Sequence, residues 1–253
     1  MCLNNYGLCY KIVAALASGG EMSYKAVIFD LYGTLVGNYS RQAYDRVQEQ
    51  MAKILNVPYP KFWQTMGETF KNRALGSNRS FENNIVEVCR RLNAKVDKTQ
   101  IEQTVVLNYE FTRNSIIPDP EVLEALGLLK RSGFLIGLIT NCNANVPLLF
   151  PKSPLAQYID VPVFSSEERL KKPSQRIYEI ACERLRTQPQ ECVYVGDGSG
   201  EELTGAAAVG MLPILKRVDL TDVYDPHRPE VENWRGIAID EIAELCDIVS
   251  ELP

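Results

Sequence analysis

Beyond Lys25 the chain alternates short apolar, β-rich runs with segments of helical period, and one long helical stretch breaks into that alternation after the first run. Such alternation points to a parallel sheet covered on both faces, because each crossover between parallel strands carries a helix back over the sheet. Lys25 to Phe29 (KAVIF) is the first run and ends at Asp30. FLIGLIT from Phe134 to Thr140, Val161 to Phe164, CVYVGD from Cys192 to Asp197, Leu212 to Leu215 and Ile237 to Ile239 read as the later strands. Between them lie helical segments. One starts at Pro120, capped by Asp119, and stops at Gly133. Others run from Ser174 to Leu185, from Glu201 to Val209 before Gly210, and from Glu241 to Val249.

Residues 40–115 have helical period throughout. Apolar positions recur at Ala43, Val47, Met51, Ile54 and Leu55, then at Phe62, Met66 and Phe70. Ile85, Val88, Cys89 and Leu92 form a third series, and Ile101, Val105 and Tyr109 a fourth. Pro58, Pro60, Gly76, Asn78 and the capping residue Asp97 mark the breaks, so about four helices and no strand are expected. The expected fold is α/β: a three-layer Rossmann-like core with a parallel sheet, formed by residues 22–38 and 116–253, plus an inserted helical domain over residues 39–115. An insertion there emerges at the carboxyl edge of the first strand, where open α/β sheets bind ligands.

Composition narrows the function classes. Among 253 residues, 27 Lys and Arg stand against 32 Asp and Glu, a net charge of −5. Nucleic-acid binding needs a basic face, so no nucleic-acid partner is expected. The single histidine, His227, excludes a multi-histidine metal site and weighs against Ser-His-Asp chemistry. Its loop, Asp225 to Pro229, reads as a surface connection. The 7 cysteines are scattered without a CxxC pair, which reads as reduced thiols in a cytoplasmic protein. No apolar run reaches the ~18 residues of a membrane helix, so no membrane association is expected. Residues 1–21 hold Lys11 and an apolar run, Ile12 to Ala17, too short for a signal-peptide core. They read as an extension upstream of the fold, with Met22 a natural starting point.

The chemistry concentrates at three strand ends: Asp30 on the first, Thr140 and Asn141 on the second, Gly196 and Asp197 on the fourth. A parallel sheet brings such ends together. These segments resemble, in order, the motifs of the haloacid-dehalogenase-like hydrolase superfamily. FDLYGTL is similar to the first motif, LITN to the second, KKP at Lys171 to Pro173 to the third, and VGDGSGEELTGAAAVGM to the fourth. The helical insertion resembles that family's first-type cap.

The resemblance implies that Asp30 is a nucleophile forming a covalent aspartyl intermediate. It also implies that Thr140, through its hydroxyl, and Asn141, through its backbone N–H, hold the transferring group. Lys172, or its neighbour Lys171, would supply fixed positive charge. Asp30, Asp197 and Glu202 would form a cluster of carboxylates that repel unless protonated or bridged by a cation. Mg²⁺ suits such oxygen ligands. Its expected ligands are Asp30, the backbone carbonyl of Tyr32, Asp197 and Glu202. Glu201 is the alternative to Glu202, and both glutamates also suit a helix N-terminus.

One position departs from the family's phosphatases. They carry a second Asp two residues after the nucleophile as general acid and base, and Tyr32 stands there. A phenol, with a pKa of about 10, can donate a proton but is a poor base at neutral pH. The DxYGT form resembles the metal-independent 2-haloacid dehalogenases. Asp197 with its neighbouring glutamates instead favours a Mg²⁺-dependent hydrolase acting on a small phosphate monoester. A third reading is a weakly catalytic member that binds a phosphorylated ligand or partner. The insertion offers Arg41, Phe62, Trp63, Arg73, Asn78 and Arg79 as candidate substrate contacts, with most of its aromatics expected in the core.

Overall fold

The computed structural model describes residues 24–224 and 226–251. The expected extension over residues 1–21, Met22 and two of the cysteines, Cys2 and Cys9, lie outside the described residues.

Strands β1 Ala26–Phe29, β2 Leu135–Thr140, β3 Val161–Phe164, β4 Cys192–Gly196, β5 Leu212–Lys216 and β6 Ala238–Ile239 form one sheet in the order β3-β2-β1-β4-β5-β6. Every neighbouring pair is parallel. β1 is buried along its whole length because the alternation of its side chains feeds two separate cores. Val27 and Phe29 join Val193 and Val195 on one face, while Ala26 and Ile28 join Cys192 and Tyr194 on the other.

Between β1 and β2 run helices α1 Arg41–Ile54, α2 Tyr59–Glu68, α3 Phe70–Ala74, α4 Phe81–Arg91 and α5 Lys98–Ser115. Their starts follow the chemistry of capping. Ser40 accepts the Ala43 N–H, Ser80 accepts the Asn83 N–H, and Asp97 forms a capping box with Gln100. Met51, Leu55, Phe62, Met66, Phe81, Ile85 and Val88 give the insertion a core of its own. The run expected as one helix through Phe62, Met66 and Phe70 is divided at Thr69 between α2 and α3. The Thr69 hydroxyl donates to Thr65 O at 3.0 Å and to Met66 O at 3.2 Å, so a side chain competes with the helical ladder there.

Helix α6 Pro120–Arg131 and the closing helix, which begins at Glu244 rather than Glu241, cover the Phe29 face through Leu126, Leu129, Leu245 and Val249. Helices α7 Gln175–Leu185 and α8 Glu202–Val209 cover the opposite face through Ile177, Tyr178, Leu203 and Ala206. Cys89, Cys142, Cys182, Cys192 and Cys246 are free thiols. No helix among the described residues is long and apolar enough to cross a membrane.

Candidate active site

Sheet register assembles the site. Phe29 pairs with Leu138 of β2 and Val195 of β4, so the three chemistry-bearing strands are neighbours and end together. Asp30, Thr140 and Asp197 are all buried at that edge. The Asp30 N–H donates to Val195 O at 2.9 Å. The chain then turns tightly, with the N–H groups of Leu35 and Val36 donating to Leu31 O at 2.9 and 3.0 Å. Gly33 takes φ +78°, and a Cβ on it would stand 2.4 Å from Asp197 Oδ2. The turn after Asp30 therefore lies against the Asp197 carboxylate, and only glycine fits there.

Lys172 joins the carboxylates. Its buried ammonium donates to Asp30 Oδ1, to Glu202 Oε2 at 2.5 Å and to Tyr194 OH at 3.1 Å. The Tyr194 hydroxyl donates to Glu202 Oε2 at 2.8 Å, and the Gly198 N–H donates to Glu202 Oε1 at 3.1 Å. The Asn141 side chain grips the backbone of Lys172, accepting its N–H at 2.9 Å and donating to its carbonyl at 3.3 Å. This separates the alternatives open in sequence. Lys171 is exposed and Lys172 is buried against Asp30; Glu201 is exposed and Glu202 is buried in the cluster.

The electrostatics are those of crowded acids. Carboxylate oxygens of Asp30, Asp197 and Glu202 lie within 4.8 Å of one another. Burial, followed by Glu202, lifts the Asp30 carboxyl to about 8 even though Lys172 pulls it down. Burial and Glu202 lift Asp197 to about 6 against the pull of Arg228. Burial works against the Lys172 charge, but Asp30 and Glu202 outweigh it and hold the ammonium above the usual lysine value. Among the described residues these three carboxylates face two basic partners, Lys172 and Arg228, so with all three ionised the set carries one negative charge in excess, and the raised Asp30 and Asp197 values express that crowding. A set of buried oxygens with that excess fits a hard divalent cation.

Residues 24–210 match the family model described as haloacid dehalogenase-like hydrolase. The chain belongs to the haloacid dehalogenase-like hydrolase family. The glyceraldehyde 3-phosphate phosphatase of Methanopyrus kandleri is 25% identical to this hydrolase over 235 residues, 90% of this chain and 98% of that one. The (S)-2-haloacid dehalogenase 4A of Burkholderia cepacia is 24% identical over 211 residues, 74% of this chain and 80% of that one. The crystal structure of 2-haloacid dehalogenase from Pseudomonas syringae pv. Tomato DC3000 has a TM-score of 0.65 at 22% identity, covering 91% of this chain and 100% of that one. Both reaction types expected from sequence are therefore represented among the hydrolase's relatives.

A cleft of about 260 Å³ opens over Asp30, Thr140, Asn141, Lys172 and Asp197. Of the expected substrate contacts, Arg73 lines this cleft. Phe62 belongs to the insertion's core, Arg41 and Trp63 border a different surface hollow, and Asn78 and Arg79 another. Tyr32 lines the cleft, but its hydroxyl is 3.3 Å from Ser115 Oγ at the end of α5. The Ser115 hydroxyl donates to Thr112 O at 2.9 Å, so Tyr32 is the donor of that pair and its proton is engaged.

In the loop expected as a surface connection Pro226, His227 and Pro229 are exposed, but Arg228 departs from that reading. Arg228 is buried and donates from Nη2 to Asp197 Oδ2 at 2.9 Å. The loop is pinned beside it by Glu230, which accepts the N–H groups of Leu203 and Thr204 at 3.0 and 3.1 Å and so caps the start of α8. A Pro-rich loop around a lone histidine carries no pattern that marks its arginine as buried. The partner, Asp197, is 31 residues away in the chain.

Proposed function

We propose that this hydrolase is a Mg²⁺-dependent phosphatase acting on a small phosphate monoester through an aspartyl-phosphate intermediate. The observation that carries this reading is the buried set of three carboxylates, which among the described residues has two basic partners and so, once fully ionised, has an excess negative charge that calls for a further cation. Attack on a carboxylate-bearing haloacid would place one more negative charge against that excess, whereas a divalent cation turns it to advantage. The phosphatase relative from Methanopyrus kandleri supports a small phosphorylated sugar as the substrate class.

Asp30 attacks phosphorus, the P–O bond to the alcohol breaks as the new P–O bond to the carboxylate forms, and the departing alkoxide takes its proton from solvent water. Water then cleaves the acyl phosphate, releasing inorganic phosphate and restoring Asp30. Lys172 keeps a fixed positive charge beside the attacking oxygen, and Thr140, which lines the cleft, would hydrogen-bond the transferring group through its hydroxyl. Asp30, Asp197 and the Tyr32 carbonyl would hold Mg²⁺, which when bound supplies charge neutralisation for the phosphoryl oxygens. Glu202 positions Lys172, since both of its oxygens are engaged by Lys172, Tyr194 and Gly198. The helical insertion acts as a cap over the cleft.

The test is phosphate release from p-nitrophenyl phosphate and a phosphometabolite panel, with Mg²⁺ and with EDTA, beside halide release from 2-chloropropionate. Phosphate release that EDTA abolishes supports the proposal. Metal-independent halide release without phosphatase activity overturns it, and no turnover of any compound favours the ligand-binding alternative.

Two variants probe individual roles. Tyr32→Phe should lower kcat by less than about 3-fold, because the phenol proton is engaged by Ser115 rather than held for the leaving group. A loss of 100-fold or more (roughly the lower end for a general acid) would restore Tyr32 as the proton donor. Arg228→Gln should tighten Mg²⁺ binding about 10-fold, since the guanidinium competes with the cation for Asp197. The Mg²⁺ dependence of the unfolding temperature measures this, and unchanged or weaker binding removes the competition.

A further inference from the structure

We infer that the cleft holds a second anion-binding position at Arg73, so that the substrate is a phosphate monoester bearing another anionic group at its far end. The inference rests on the phosphatase reading for the first position, at Asp30 and Lys172.

Arg73 is 9% exposed and lines the same cleft as the nucleophile. The other buried cations of the cleft are paired, Lys172 with Asp30 and Glu202, and Arg228 with Asp197. Among the described residues no carboxylate forms an ion pair with Arg73. One edge of its guanidinium is anchored, with Nη1 donating to Met66 O at 2.7 Å and to Thr69 Oγ1 at 2.8 Å. The group also stands 5.7 Å from the centre of the Phe70 ring. These contacts orient the fork without neutralising it.

The cleft lining around it is aromatic; Asp45, whose charge also reaches Tyr44 and Tyr224, borders a different hollow and pairs with Arg41 at 3.7 Å. Tyr39, Tyr44 and Tyr224 all feel the Arg73 charge, and all line the cleft. Burial nevertheless keeps these three phenols protonated well beyond neutral pH, so they offer hydroxyl groups and ring faces but no counter-charge. A buried guanidinium without a counter-ion is costly to desolvate. The cost is offset when a ligand brings the missing anion into the cleft, where the planar fork suits carboxylate and phosphate oxygens alike. Lys171, exposed at the same cleft, adds to the positive potential. A cleft of about 260 Å³ limits the ligand to a short molecule, with its middle against the tyrosines.

Binding of phosphonates, which resist hydrolysis, tests this on the full chain with Mg²⁺ by titration calorimetry. Propylphosphonate carries the first anion only, 3-phosphonopropionate adds a carboxylate, and propane-1,3-diyldiphosphonate adds a second phosphonate. The wild-type protein should bind at least one of the doubly anionic compounds about 10- to 100-fold tighter than propylphosphonate, and the preferred one identifies the second group. In Arg73→Gln that advantage should fall below about 3-fold, while Arg73→Lys should retain part of it. Equal affinity of all three compounds for the wild-type protein overturns the inference, whether or not the variants fold. So does an advantage that survives in folded Arg73→Gln, which would leave Arg73 a merely structural role. Tight propylphosphonate binding without a doubly anionic advantage removes only the Arg73 position. Failure of all three to bind removes the phosphatase reading with it.

Discussion

Asp30→Asn should lower phosphate release by about 10³-fold or more while leaving the protein folded. The amide matches the carboxyl in shape but has no nucleophilic oxygen, so no acyl phosphate forms. The fold should survive for an electrostatic reason. Burial and the nearby acids lift the wild-type carboxyl to about 8, so in the metal-free protein at pH 7 this group already resembles a neutral amide. Lys172 keeps Glu202 and Tyr194 as partners when Asp30 is replaced. The metal-free unfolding temperature should therefore change little. The added stability conferred by Mg²⁺ should shrink, since one of its ligands is lost. Residual activity near the wild-type level would sink the nucleophile assignment. A collapsed unfolding temperature would show that the Asp30 charge supports the fold, contrary to the buried geometry.

The parts of this site that were legible in sequence are those that local pattern and sheet topology determine together. Asp30, Thr140 and Asp197 each end a short apolar run, and a parallel sheet leaves such ends side by side. Lys171 and Lys172 were not separable, because which of two consecutive lysines turns inward depends on Asn141 gripping one backbone from another strand end. Glu201 and Glu202 differ for a similar reason. Glu201 has φ +58° ahead of α8, while Glu202 begins the helix and points beneath the strand end, where a Cβ on Gly196 would stand 2.4 Å from its Oε1. Arg228 is not distinguishable in sequence from its exposed loop neighbours, since its burial comes from a loop docked by Glu230 on the start of α8 rather than from any periodicity. Tyr32 was visible as a departure from the family pattern, but its engagement by Ser115 spans 83 residues and follows from how the insertion returns to the sheet.

Lys172→Met should cost about 3–5 kcal/mol of stability and nearly all turnover. The ammonium is buried between Asp30 and Glu202, and its removal leaves the Glu202 carboxylate without its counter-charge and Asp30 without the cation that restrains its raised pKa. Urea unfolding measures the loss, and the double variant Lys172→Met with Glu202→Gln separates charge from packing. If uncompensated charge dominates, the second change recovers a large share of the stability while activity stays lost. If lost packing dominates, the double variant is no better than the single one. The pH dependence gives an independent sign. Asp30 has a folded-state pKa raised above its ordinary value of 3.8, so the stability it contributes is present at low pH and is lost as the pH rises toward about 8. Lys172 is what restrains that rise. Without it the Asp30 carboxyl moves above 8, and the variant keeps losing stability where the metal-free wild-type protein has levelled off. The deficit should therefore widen as the pH climbs beyond about 8, whereas a cavity left by the lysine would give the same deficit at every pH.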